Sequence, residues 1–210
     1  RRASFIEYRR MADSAATISA VKADREIPKY ASNLVYLSRS GDPSLVESKL
    51  LYSIVNKQPK RADHYWFVHI DHVDSPDELS YSVSVAVPET IYVVTMHLGF
   101  RVAPRISVYL RQIVEDLVAS GDLDLCSGYP SLRREGIPGD FRFIILHRIF
   151  SPTSICGATT ALLMRLHDIL RHIGVSDTSA YGLDTSVVTA ETVPLIINTS
   201  SGRRIVREEC

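Results

Sequence analysis

Cysteine is scarce in this 210-residue chain. Cys126, Cys156 and Cys210 are the whole supply, too few and too scattered for a disulfide framework or a tetrahedral zinc site. An excess of either charge is missing too: 24 Lys and Arg balance 24 Asp and Glu. That removes the basic footprint of a nucleic-acid binder, so no nucleic-acid partner is expected. Long hydrophobic runs are absent. The longest mid-chain stretch without formal charge, Ile149 to Met164, spans 16 residues and is broken by Pro152 and several Ser and Thr. A bilayer span needs about 20 predominantly apolar residues. The chain opens on Arg1-Arg2-Ala3-Ser4 with no apolar signal-peptide core and no initiating Met, which predicts a piece of a longer protein.

Catalytic signatures are missing as well. The chain holds no G-x-S-x-G elbow, no phosphate-binding Walker loop, no G-x-G-x-x-G and no paired-carboxylate pattern. Cys156 sits beside Gly157 among small residues, the setting of a core thiol rather than a nucleophile. No catalytic residue, metal ligand or cofactor is assigned, and the chain is not expected to be an enzyme.

What is present is the composition of an ordinary globular domain, 45% hydrophobic and 23% charged. A chain of this length buries roughly 70% of its unfolded surface and needs no staples. Residues 1–30 carry seven basic against four acidic residues. They read as a solvated, partly helical leader, or more sharply as a basic juxtamembrane connector. An α/β domain is expected over 31–198, with a tail over 199–210.

Within that domain the expected fold is a mixed α/β sheet: a parallel βαβ start, a central antiparallel hairpin and packed amphipathic helices. Leu34–Leu37 reads as a buried strand. Asp42-Pro43 reads as an N-cap with proline at the first helical position, opening a helix over 44–55 with Val46, Leu50, Leu51, Ile54 and Val55 on one face. Tyr65–Val73 is the next strand, apolar on both faces up to Ile70. Leu79, Tyr81, Val83, Val85 and Val87 alternate with Ser80, Ser82, Ser84 and Ala86, a period of two with one wet face. Pro88-Glu89-Thr90 then turns the chain into a strand over 91–98, closing a hairpin. Pro104 opens a helix carrying Ile106, Leu110, Ile113, Val114, Leu117 and Val118 at helical spacing. Residues 123–139 read as an irregular loop and 141–150 as a strand. A helix is expected over 162–173, and two short strands over 187–189 and 193–197.

His64, His69, Asp71 and His72 fall within nine residues. On a strand, His69 and Asp71 share one face while His64 and His72 share the other, so they read as strand-end polar residues, not a metal set. The candidate ligand-binding feature is the loop Ser38-Arg39-Ser40-Gly41, at the carboxyl end of the first strand and ahead of a helix. Open α/β sheets bind ligands there, and helix N-termini favour anions. Lys57, Lys60 and Arg61 lie at the other end of that helix and do not converge on the loop.

Several segments resemble one family. Ile27-Pro28-Lys29-Tyr30-Ala31-Ser32-Asn33-Leu34-Val35-Tyr36-Leu37 is similar to the start of the cytoplasmic C-terminal region of KUP/HAK/KT potassium uptake transporters. Lys49-Leu50-Leu51-Tyr52-Ser53-Ile54, the run Pro59–His69, Leu98-Gly99-Phe100-Arg101 and Tyr181-Gly182-Leu183-Asp184 resemble its Bacteroidetes-type branch. The resemblance spans about residues 26–198 and is densest between 27 and 125. Where many members carry Tyr-Phe near a strand, this chain has Phe143-Ile144-Ile145-Leu146.

The resemblance implies a domain on the cytoplasmic face of the bacterial inner membrane, soluble as this fragment and hung below a transporter that imports potassium, generally with protons. The family's ion sites lie in its membrane helices, so no ion-binding residue is carried over. The implied role is regulation or assembly, with the transmembrane part of the same protein as partner and a homodimer as a further one. The alternative is sensing of a small anion such as cyclic di-AMP, with Ser38, Arg39, Ser40 and Gly41 as candidate contacts.

Overall fold

A computed structural model describes residues 7–121, 123, 130–134, 139–149, 183 and 187–194. The elements are β1 (Tyr8–Arg10), α1 (Met11–Ala23), β2 (Lys29–Ser38), β3 (Leu45–Glu47), α2 (Ser48–Tyr52) running into a π-helical turn (Ser53–Lys57), β4 (Arg61–Val73), β5 (Leu79–Val87), β6 (Ile91–Gly99), α3 (Ile106–Ala119), α4 (Pro130–Arg134), β7 (Phe141–Ile149) and β8 (Val187–Pro194). Six strands form one sheet in the order β5-β6-β4-β2-β7-β8. Within it β6, β4, β2, β7 and β8 are mutually parallel, and β5 runs antiparallel against β6. The mixed α/β fold with its parallel start and hairpin is therefore present.

The parallel strands, numbered by their order in the chain, lie 3-2-1-4-5 across the sheet. The connection reverses direction after β6, and the helices divide between the two faces to match. One face buries Met11, Ala15 and Ile18 of α1 and Leu50 and Ile54 of the α2 region against Leu34, Tyr36, Tyr65 and Phe67. The other buries Ile106, Leu110, Ile113 and Val114 of α3 against Val35, Trp66, Val68, Tyr92, Val94 and Met96. Central strands buried on both faces explain the unbroken apolar run of β4.

Several boundaries differ from the sequence reading. The helix expected from residue 44 begins at Ser48. Asp42 caps a turn instead: its carboxylate accepts the Ser44 amide at 2.8 Å and hydroxyl at 2.7 Å, and its carbonyl accepts the Leu45 amide at 3.2 Å. Leu45, Val46 and Glu47 then pair antiparallel with Arg10, Arg9 and Tyr8. The segment expected as a solvated leader thus supplies both β1 and a helix whose Ile18 is fully buried. Strand β2 starts at Lys29, where it pairs with Arg61 of β4; further along, the amides of the buried Ser32 and Asn33 donate to Asp140 Oδ1 and to its carbonyl, both at 2.9 Å. Residues 130–134 inside the expected loop are helical, and β8 is one strand across 187–194. The helix expected over 162–173 lies outside the described residues.

Candidate functional site at the carboxyl ends of the parallel strands

Strand β2 ends at Ser38, opposite His69 of β4, which lies opposite Thr95 of β6; β4 and β6 each run on for four residues past this row. The loop after β2 folds over the row. His69 Nδ1 lies 3.2 Å from the Ser38 carbonyl. A Cβ on Gly41 would fall 2.7 Å from His69 Cδ2 and 3.0 Å from Thr95 Oγ1, so only glycine allows this close approach. Nearby, Asp71 and His97 sit opposite each other, Oδ2 to Nδ1 at 3.2 Å.

The four loop residues have distinct surroundings. Ser38 Oγ is within reach of the Ser40 carbonyl at 3.1 Å and Glu47 Oε1 at 3.4 Å. The Ser40 amide donates to Ser38 Oγ at 3.2 Å, and the Asp42 amide to Ser40 Oγ at 3.1 Å. The Arg39 amide donates to Glu47 Oε1 at 2.7 Å, while its side chain is exposed. Glu47 is fully buried, and its other oxygen lies 2.9 Å from Lys49 Nζ. An anion already occupies the loop's backbone donor, and the chain itself supplies it.

The loop stands where open α/β sheets build ligand crevices. Strand order reverses between β2 and β7, the first and fourth parallel strands, and the gap above their carboxyl ends is the topological switch point. The loop 38–41 leaves the carboxyl end of β2 beside that gap but folds the other way, over His69 of β4 and Thr95 of β6. It does not lead straight into a helix, because β3 intervenes.

Sequence reasoning missed a second polar constellation, on the α1 face. Lys60, expected at the far end of the helix and away from the loop, is completely buried. Its ammonium donates to the Ser53 carbonyl at 2.6 Å and the Gln58 carbonyl at 3.2 Å, and lies 3.1 Å from Glu191 Oε1. Ser53 Oγ donates to Glu191 Oε2 at 2.7 Å and sits 3.1 Å from the Tyr36 hydroxyl. Burial holds the Tyr36 phenol well above its ordinary pKa. The only available signal was the lone acid in the apolar β8 sequence, 131 residues downstream of Lys60.

The histidines separate as alternation requires. His64 is buried on the α3 face against Tyr92, whereas His69 and Asp71 lie on the α1 face. Among the described residues no group of three or more His, Cys, Asp or Glu is placed to hold a metal ion.

Fold and site together define a doubly wound α/β domain with a glycine-tight loop folded from the end of β2 over β4 and β6, and no assembled catalytic constellation among the described residues. A family model described as the K+ potassium transporter C-terminal domain matches residues 31–196. The chain belongs to that family. It is 41% identical over 192 residues to a probable potassium transport system protein Kup of Cytophaga hutchinsonii, covering 91% of this chain and 29% of the relative. Proteins of the same description from Flavobacterium psychrophilum and Clostridium perfringens are 33% identical over 181 residues and 35% over 198. Those alignments cover 86% and 94% of this chain, and 28% and 30% of the relatives. The chain thus spans under a third of the length of the curated relatives it matches. No solved structure matches.

Proposed function

We propose that this chain is the cytoplasmic C-terminal regulatory and assembly domain of a potassium transporter, not itself a carrier of ions but a partner of the membrane-embedded part that is. The observation that carries this reading is the alignment of nearly the whole chain to under a third of proteins described as potassium transport systems. No helix among the described residues is long and apolar enough to cross a membrane. The basic excess of residues 1–30 supports a juxtamembrane position, since Lys and Arg concentrate on the cytoplasmic side of spans and attract anionic headgroups. Coupling of the parent to protons rests on the family resemblance alone. The test is deletion of residues 31–198 from the full-length parent, followed by potassium uptake and immunoblotting. Altered uptake or lowered abundance is expected; both unchanged would overturn the proposal.

A second reading, sensing of a small anion such as cyclic di-AMP, draws support from the position of Ser38–Gly41 at the carboxyl end of β2, the first of the parallel strands. Against it stands Glu47, whose carboxylate takes the Arg39 amide that a phosphate would need. Calorimetric titration with cyclic di-AMP, with ATP as control, separates the two. Saturable micromolar binding of cyclic di-AMP alone, weakened by Arg39→Ala, would favour sensing; its absence would leave regulation through protein contact.

A further inference from the structure

Among the described residues β5 is an edge strand, and an unusual one. Leu79-Ser80-Tyr81-Ser82-Val83-Ser84-Val85-Ala86-Val87 contains no charged residue and no proline, the two devices that most often blunt an exposed strand. At the opposite edge β8 carries Glu191 and ends on Pro194. Leu79, Tyr81 and Val85 remain 53%, 42% and 50% exposed. The backbone is directed outward in a definable way. The Gly99 amide donates to the Glu78 carbonyl at 2.8 Å, and antiparallel ladders alternate. Residues 78, 80, 82 and 84 therefore bond to β6, and the N–H and C=O groups of Leu79, Tyr81, Val83 and Val85 point away from the sheet. The register shifts between Val85 and Val87, so the regular outward ladder is confined to 79–85.

We infer that β5 is a self-pairing edge: two copies of this chain join antiparallel through residues 79–85, with Ser82 on the two-fold axis. This register uses all four outward residues, setting Leu79 against Val85 of the second copy and Tyr81 against its Val83. About eight backbone hydrogen bonds form across the seam. Odd residues meet odd and even meet even, so apolar side chains cover apolar ones and serines face serines. A second copy is the fitting occupant because the strand is its own complement, and an uncharged strand brings no like charges together. Beside it, a cleft of about 170 Å³ between β5 and α3 is lined by Leu79, Tyr81, Met96, Tyr109, Ile113 and Asp116. Tyr81 is steadied there by a 3.0 Å hydrogen bond to Asp116, and the Val85 side chain of the second copy comes to lie at its mouth. The inference rests on the assembly reading above and names the surface that reading leaves open.

The test uses the purified 210-residue chain in sedimentation equilibrium up to high-micromolar concentration. A dimer is expected. Val85→Lys should weaken it about tenfold or more, while Val187→Lys, the same change at an exposed position on the opposite edge strand, should leave it intact. Ser82→Cys should cross-link under mild oxidation, because the facing pair at 82 is of the closer, non-hydrogen-bonded kind; peptide mass spectrometry locates the bond apart from the native cysteines. If Val85→Lys fails to fold, the cross-link at position 82 decides alone. A dimer indifferent to Val85→Lys and unlinked through position 82 would overturn the β5 seam and leave assembly to another surface. A monomer throughout, with no linkage, would overturn both the seam and the assembly reading.

Discussion

Lys60 shows how much one residue can hold. Its ammonium has no exposure to solvent and bridges the π-helical turn to β8 through Ser53 and Glu191. Removing one partner of a buried ion pair leaves the other charge stranded, which typically costs about 3–5 kcal/mol. Lys60→Met is therefore expected to destabilise by about that amount, and so is Glu191→Leu. The double variant should recover much of the loss, since an apolar pair of similar volume strands no charge. Urea denaturation across the double-mutant cycle measures the coupling, and additive losses would show that the two side chains act independently. His64 makes a pH-dependent contribution of known sign. Burial, aided by the Lys22 ammonium, lowers its pKa below the ordinary 6.5. The unfolded chain then binds a proton that the native chain refuses, so this residue's contribution is intact above pH 6.5 and is lost as pH falls through that value toward the lower native pKa. The denaturation midpoint of the unaltered chain should drop between about pH 6.5 and 5 by more than that of His64→Gln. Equal drops would assign the dependence elsewhere.

At the scale of elements, the β5–β6 hairpin carries a local cost with a visible compensation. Glu89 adopts φ 57° in a turn closed by the Thr90 amide on the Val87 carbonyl at 3.1 Å, with Pro88 ahead of it. Glycine is the natural occupant after proline in such a turn. Lys22 of α1 donates to the Glu89 carbonyl at 2.6 Å and to Thr90 Oγ1 at 3.1 Å, tying the turn to the helix through main chain. Glu89→Gly keeps that carbonyl and relieves the left-handed backbone, so a gain of about 1 kcal/mol is expected. A loss in thermal or urea denaturation would mean that the carboxylate itself matters. The hairpin was legible beforehand because strict alternation and a proline turn are local signals. So was α3, whose apolar residues follow one stripe. The start of α2 was not: Asp42-Pro43 suits a helix cap and a turn equally, and the choice is made by pairing of Leu45–Glu47 with Tyr8–Arg10 far upstream. Nor was the start of β2, where the Ser32 and Asn33 amides meet Asp140 from over a hundred residues away. For the candidate loop, sequence located the carboxyl end of β2. It could not show that Glu47, eight residues on from Arg39, turns its carboxylate inward to take the amide.

At the scale of the whole molecule, the described residues form a six-stranded sheet with a core on each face, beside the small β1–β3 pair, and segments far apart in the chain are woven together. Helix α1 lies on the same core as β2 and β4, and β8 is pinned to the π-helical turn by the Lys60 pair. An architecture so interlocked should unfold as one cooperative unit. Trp66, the chain's single tryptophan, is the natural reporter. It is fully buried in the α3-side core, stacked on Tyr92 with ring centroids 4.6 Å apart, and its Nε1 donates to Asn33 Oδ1 at 3.1 Å. Ile18 lies fully buried in the opposite core, so the two probe different sides of the sheet. Ile18→Ala should cost about 2–5 kcal/mol. If the sheet couples its faces, that loss will shift the Trp66 fluorescence transition and the far-UV circular dichroism transition together, by the same denaturant increment. A circular dichroism transition that moves while Trp66 stays put would instead make α1 a separately melting layer. It would also support residues 1–30 as a leader, docked on the domain without being part of its folding unit.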